Sequence, residues 1–140
     1  QHLTAAHDEV LARQKFKESE ALKAKFVTVY DRLSPLAFDN GFLMIRPCMD
    51  ESELIREGKA LHHCVARYAK THAEGKHCIF FIRRKNQPNS PYFTLELDVQ
   101  KQTVLQNRGL QNCARTADVK AFEGMWLEHI RRMRGAAKAL

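Results

Sequence analysis

Tyr92-Phe93-Thr94-Leu95-Glu96-Leu97-Asp98-Val99 is the stretch whose reading decides the fold. Apolar and polar residues alternate through it. Phe93, Leu95, Leu97 and Val99 therefore share one face of a β-strand, and Tyr92, Thr94, Glu96 and Asp98 share the other. Downstream, Gln100-Lys101-Gln102 reads as a three-residue turn into a second strand, Thr103 to Arg108, which Gly109 ends. Upstream, the polar, Pro-containing loop from Arg84 to Pro91 leads back to Cys78-Ile79-Phe80-Phe81-Ile82-Arg83. Those apolar residues follow one another without alternation, so both faces of that strand are expected to be covered. Earlier still, Asp39-Asn40-Gly41 is a turn signal ahead of a short strand closed by Pro47.

The remaining segments carry helical periods. Leu22, Phe26, Val29, Tyr30 and Leu33 form an apolar stripe on a long first helix within residues 1–36, stopped at Ser34-Pro35. Its first half contains Val10, Leu11 and Phe16 but no sustained stripe, so it projects or packs against something upstream. Asp50-x-x-Glu53 resembles a capping box for a short second helix that Gly58 weakens. Leu61, Cys64, Val65, Tyr68 and His72 fall on one arc of a third helix, which places Cys64 in the core and ends at Gly75. Thr116 is the N-cap of a last helix with the stripe Val119, Phe122, Trp126, Ile130 and Met133. The expected architecture is one α+β domain over 1–140. A small antiparallel sheet of three to four strands packs with the long N-terminal helix, a central His-Cys helix and a C-terminal helix.

Composition narrows the function. At 140 residues, 44% hydrophobic and 28% charged, the chain suits one globular domain rather than a disordered one. No apolar run approaches the ~18 residues of a membrane span and no secretory leader is evident, which points to the cytoplasm. The chain opens on Gln1, as an excised piece of a longer protein would. The net charge of +7 is segregated: residues 76–115 hold 7 basic side chains against 2 acidic, whereas residues 1–75 balance. Segregated positive charge suits an anionic partner, and solubility alone also accounts for it.

Cys48, His62, His63, Cys64, His77, Cys78 and Cys113 invite a metal reading. None forms the C-x₂₋₄-C pairing of structural zinc, so no metal and no cofactor is expected. Cys64 with His62 or His63 would make a nucleophile and base only if the thiol were exposed. The hairpin offers a better cluster. If Val99 opposes Thr103, then Glu96 faces Gln106 and Thr94 faces Arg108. A carboxylate, an amide and a guanidinium then sit side by side to read a base edge or hold a phosphate, or merely to stabilise the sheet. A register slip of one residue would turn Gln106 and Arg108 to the other face. Gly109 and Asn112 either bring backbone amides to a ligand or make the exit turn.

The order of motifs resembles the PcfJ-like family of conjugative plasmids, integrated elements and phages. The matching residues run Glu57-Gly58-x-x-Leu61-x-His63-Cys64-Val65-x-x-Tyr68, then Ile82-Arg83, Pro91-x-x-Thr94-x-Glu96 and Gln106-x-Arg108-Gly109-x-x-Asn112. The resemblance covers a core at 54–126 and leaves the N-terminal helix outside. It implies a mobile-element setting without supplying a reaction. Its polar positions, His63, Arg83, Glu96, Gln106, Arg108 and Asn112, imply a pocket between the third helix and the sheet.

The leading expectation is a nucleic-acid-binding or accessory module, with DNA ahead of RNA. Arg83, Arg84, Lys85, Lys101 and Arg115 would contact phosphates, and Gln106, Arg108 and Asn112 would lie nearer the ligand. The alternative is an enzyme acting on nucleotides or nucleic acid. There His63 is the general acid/base, Glu96 a second acid/base or orienting group, and Arg108 the phosphate stabiliser. A third expectation is a protein-interaction module that uses the N-terminal helix.

Overall fold

A computed structural model describes residues 2–139, with side chains described from 5 to 135. The elements in order are α1 (His2–Leu33), β1 (Phe38–Asp39), β2 (Leu43–Pro47), α2 (Glu51–Leu61), α3 (Ala69–Glu74), β3 (His77–Arg84), β4 (Phe93–Asp98), β5 (Thr103–Arg108) and α4 (Ala117–Ala139). Short 3₁₀ turns occupy Ser34–Leu36, Val65–Tyr68 and Leu110–Asn112. All five strands form one antiparallel meander in the order β1-β2-β3-β4-β5. The sheet thus has five strands, the two-residue β1 being the addition to the three to four expected. Phe38-Asp39 gains that pairing because Asn40 Oδ1 accepts from the amides of Phe42 and Leu43, at 2.9 and 2.8 Å, and folds the chain back.

Both faces of β3 are covered, as its unbroken apolar run requires. On one face Phe80, Ile82, Phe93, Leu95 and Leu97 pack against Val119, Phe122, Trp126 and Ile130 of α4 and Val29 and Leu33 of α1. Trp126 is fully buried, and its indole N–H donates to the Leu36 carbonyl at 2.7 Å. That bond satisfies the one polar atom of a large apolar side chain. On the other face Ile79 and Phe81 pack against Phe26, Cys48, Leu54, Val65, Ala69 and Ala73. Burying side chains of this size is worth about 1.5–3 kcal/mol each, so the two clusters hold the helices in place. The C-terminal half of α1 supplies both clusters. Its described residues 5–21 are exposed throughout, including Val10, Leu11 and Phe16.

Two expectations change around residues 58–73. Helix α2 continues past Gly58 to Leu61, and the chain then breaks where one helix was expected. His62 is the left-handed C-cap, φ 52°, and Cys64 is exposed rather than core. A 3₁₀ turn and the six-residue α3 follow, with Val65, Ala69, His72 and Ala73 still facing the core. At the start of α2, Asp50 Oδ1 accepts from the Glu53 amide at 2.9 Å, and Glu53 Oε1 accepts from the Met49 amide at 2.7 Å. The reciprocal cap therefore reaches one residue further back than the usual box.

Candidate functional site

The polar face of the β4–β5 hairpin is not fully covered. α2 and α3 lie over β3, and between them and β5 a concavity of about 250 Å³ remains open. Its lining includes His62, His63, Cys64, Arg67, Tyr68, Thr94, Glu96, Gln106, Arg108 and Asn112, with Val65 and Ile79 as apolar floor. The expected cluster His63, Glu96, Gln106, Arg108 and Asn112 therefore converges on one pocket.

The register that achieves this differs from the expected one. Asp98 pairs with Thr103 and Leu97 with Val104, so the turn is the four residues 99–102 rather than three. A bulge follows, Leu105 has no partner, and the ladder resumes with Glu96 opposite Gln106 and Thr94 opposite Arg108. The extra residue reverses the phase of β5. Val104 packs against the α4-side core, and Gln106 turns to the pocket, where its Nε2 donates to Glu96 Oε1 at 2.9 Å.

Behind the pocket wall runs a buried polar chain. Glu57, 1% exposed, forms an ion pair through both carboxylate oxygens with Arg83, which is 6% exposed. Thr94 Oγ1 donates to Glu57 Oε2 at 2.7 Å, and His63 Nε2 lies 2.9 Å from the same hydroxyl. An ionised carboxylate only accepts, so the single hydroxyl proton of Thr94 is committed to Glu57. Thr94 must then accept from His63, which places the imidazole proton on Nε2 and leaves Nδ1 as a bare acceptor. Nδ1 is buried and has no partner among the described residues. Burial holds the His63 imidazole below its ordinary pKa, against the smaller opposing pulls of its own backbone and of the Glu57 carboxylate.

The loops that frame the pocket are held in uncommon backbone conformations. His62, Gln111 and Asn112 have φ of 52°, 53° and 61°. For non-glycine residues each such conformation costs roughly 1–2 kcal/mol. Strain of this kind concentrates at binding and catalytic sites. Gly109 allows the exit turn: a Cβ there would lie 2.8 Å from the buried Phe93 ring and 3.0 Å from Cys113 Sγ. The amides of Gly109 and Asn112 donate to the Cys113 and Gly109 carbonyls. Those two amides make the turn, and what this segment offers a ligand is the Arg108 and Asn112 side chains.

The basic residues expected to contact phosphate do not join this cluster. Arg83 is buried against Glu57 and is withdrawn from the surface. Arg84 stacks on the Tyr92 ring, 3.9 Å from its centroid, and Lys85 pairs with Asp39 at 3.2 Å. Arg115 pairs with Glu123 of α4 at 2.7 Å, and Lys101 sits on the β4–β5 turn. Arg67 and Arg108, by contrast, are exposed at the pocket and make no ion pair among the described residues. Arg67 carries no motif that marks it in the sequence, and the motifs that contain Tyr68, Glu57 and Thr94 do not show that Thr94 meets Glu57. They enter the site because the helix breaks after Leu61 and because Thr94 shares a strand face with Glu96. Among the described residues, no group of three or more His, Cys, Asp and Glu is arranged to hold a metal ion.

Comparison with known proteins adds the relationship that this arrangement suggests. A family model described as PcfJ-like protein matches residues 1–123. The chain belongs to the PcfJ-like family. The match takes in α1, so the N-terminal helix is part of the PcfJ-like unit and not outside it. An uncharacterized protein of Listeria innocua, Lin1253/Lin1744, is 31% identical over 134 residues, which is 93% of this chain and 29% of that protein. The PcfJ-like chain thus spans under a third of the length of that relative. No solved structure matches it. No helix among the described residues is long and apolar enough to cross a membrane.

Proposed function

We propose that this PcfJ-like unit acts on nucleotide or nucleic-acid phosphates at the pocket between α2 and the β4–β5 hairpin. The observation that carries this is the convergence of His63, Glu96, Gln106 and Arg108 on one concavity, while Arg83, Lys85 and Arg115 are paired elsewhere. In this reading His63 moves the proton, Arg108 and Arg67 hold negative charge on phosphate, and Glu96, fixed by Gln106, orients the substrate. The protein works in the cytoplasm on nucleic acid of a plasmid, integrated element or phage, the setting that the family resemblance implies. A protein partner, if the function includes one, has the exposed Val10, Leu11 and Phe16 of α1 available to it.

Anisotropy titrations with short single-stranded and duplex oligonucleotides test the reading at low and physiological salt. Arg108→Ala and Arg67→Ala are expected to weaken binding roughly tenfold each, about 1.4 kcal/mol. Arg84→Ala and Lys101→Ala are expected to stay close to wild type. Equal losses at all four positions would replace the pocket with a broad basic face.

A further inference from the structure

We propose that the pocket selects guanine, with Glu96 reading the base and Arg108 and Arg67 holding its phosphate; this rests on the nucleotide or nucleic-acid reading above. The inference starts from a carboxylate with capacity to spare. Glu96 is 7% exposed, yet it lines the concavity. Gln106 Nε2 donates to its Oε1 at 2.9 Å, and this is its one side-chain bond among the described residues. Oε2 is unbonded but not sealed from the pocket, unlike His63 Nδ1. A carboxylate accepts at about four lone-pair positions, of which Gln106 fills one. Its two oxygens can still take a pair of parallel donors.

The surroundings decide which donor pair fits. An arginine of a protein partner would match the carboxylate, but the mouth of the same pocket carries Arg67 and Arg108. Both are exposed and make no ion pair among the described residues. They repel a cation and attract an anion. The ligand must therefore present two neighbouring donors at one end and negative charge at the other. Among the common nucleobases, guanine alone has two adjacent donors, N1–H and N2–H, on its Watson–Crick edge. Adenine and cytosine set an acceptor beside their amine, and uracil and thymine flank one N–H with two carbonyls. Each of these four would turn a lone pair toward Glu96, which has no proton to offer it.

The pocket has room and shape for this. Val65 and Ile79, both buried, form its floor, and Ile79 stands opposite Glu96 in the β3–β4 ladder. A flat base seated there covers apolar surface while its edge meets the carboxylate away from water, where a charge-assisted bond is strong. The concavity of about 250 Å³ is smaller than the roughly 300–1,000 Å³ of pockets for drug-sized ligands, which suits one base. Arg108 lies two residues beyond Gln106 on β5, roughly 7 Å along the strand. Its charge therefore falls past the base, toward a phosphate. A free guanine nucleotide and an unpaired guanine within a strand offer the same edge and the same anion.

Calorimetric titration of the whole chain with the 5′-monophosphates of guanosine, inosine, adenosine, cytidine and uridine tests this. Anisotropy with two labelled oligothymidines, one carrying a single central guanine, runs beside it. Guanosine monophosphate is expected to bind roughly ten- to a hundredfold more tightly than the adenosine, cytidine and uridine nucleotides. Inosine monophosphate lacks the 2-amino group and is expected to lose about tenfold against guanosine, as one missing bond to a charged group does. These comparisons use the unaltered protein. Glu96→Gln keeps an acceptor for Gln106 but turns an amide N–H toward the ligand, so it is expected to abolish the preference for guanine. Arg108→Ala is expected to weaken all five nucleotides about tenfold and to leave the ratio of guanosine to adenosine unchanged. Selective binding of the free nucleotide, with both oligothymidines bound alike, makes a guanine nucleotide the ligand. Preference for the guanine-bearing strand makes it a base within a strand. Binding of nucleotides and strands without regard to guanine, or of inosine as tightly as guanosine, overturns the inference and leaves the phosphate reading standing. Binding of no nucleotide and no strand overturns both.

Discussion

Glu96 faces Gln106 across the β4–β5 ladder because Leu105 is bulged out of it. In a regular strand Val104 and Gln106 would share a face. Here Val104 packs on the α4-side core and Gln106 bonds Glu96 in the pocket. Removing Leu105 should therefore be tolerated. The register set by Leu97–Val104 would then run on without a bulge, and Gln106 would still meet Glu96. Removing Asn107 should not be tolerated. Arg108 would move into the place of a buried side chain that donates to Glu123 at 3.0 Å, facing α4. The expected outcome is a near-native melting temperature and intact oligonucleotide binding for the first deletion. The second should lose binding and about 2 kcal/mol or more of stability.

The same bulge shows why the site was only partly legible in the sequence. Alternation in Phe93–Asp98 identified the strand and the face carrying Thr94 and Glu96, because a two-residue period survives into any sheet. The partner of Glu96 followed from assuming a three-residue turn and a regular ladder. The chain has a four-residue turn and a bulge, and the two departures cancel at Gln106. Around His62 nothing cancelled. Leu61, Val65, Tyr68 and His72 fit one helical arc, and no Gly or Pro marks the break at His62, which a left-handed conformation produces. The apolar residues keep facing the same core across the break. Their period does not reveal it, and the same arc points to the core a Cys64 that is exposed. Arg83 illustrates a further limit: a sequence shows its charge, but only the fold brings Glu57 against it.

The buried Arg83–Glu57 pair predicts an asymmetry between single and paired substitutions. Arg83→Met leaves the Glu57 carboxylate buried with only Thr94 donating to it, and should cost about 3–5 kcal/mol. Arg83→Met combined with Glu57→Leu removes both charges and should recover much of that loss. The double variant also strips Thr94 of its acceptor, so its hydroxyl is free to donate to His63 and the tautomer is no longer fixed. Denaturant melts give the stability, and nitrogen chemical shifts of His63 report the tautomer. Full additivity of the two single substitutions would show that the pair does not interact as described.

Gly109 and Gly124 should respond in opposite directions to the same change. A Cβ at Gly109 would stand 2.8 and 2.9 Å from two carbons of Phe93, itself 2% exposed and held in the core. Gly109→Ala should therefore displace the exit turn that carries Asn112, and cost about 1–3 kcal/mol as overpacking does. Gly124 lies within α4 with nothing within 4 Å of an added Cβ. Gly124→Ala should stabilise by about 0.5–1 kcal/mol through helix propensity. Thermal melts of both variants check the pair. A Gly109→Ala protein as stable as wild type would mean that the turn is looser than its packing indicates.

His72 makes the protein sensitive to mild acid. Its imidazole is fully buried, stacks on Phe26 at 4.9 Å between centroids, and accepts the Ile79 amide through Nδ1 at 2.9 Å. Burial, with the Arg32 guanidinium adding repulsion, lowers its pKa from 6.5 to about 4. The folded state therefore resists a proton that the unfolded chain accepts. Stability is fully present above pH 6.5. As the pH falls below 6.5 the unfolded state gains protons first, and stability declines until the folded imidazole also titrates near pH 4. The loss over that window should approach about 3 kcal/mol, at 1.36 kcal/mol per pKa unit. Nε2 has no partner among the described residues, so the neutral ring holds its proton there in an apolar setting, and a second proton would displace the Ile79 amide. Urea melts between pH 7.5 and 4 should show this decline in wild type. His72→Gln keeps an acceptor for the Ile79 amide but cannot take up a proton, so it should be less stable at neutral pH and flatter across the window. An equally steep decline in that variant would assign the acid sensitivity to other groups.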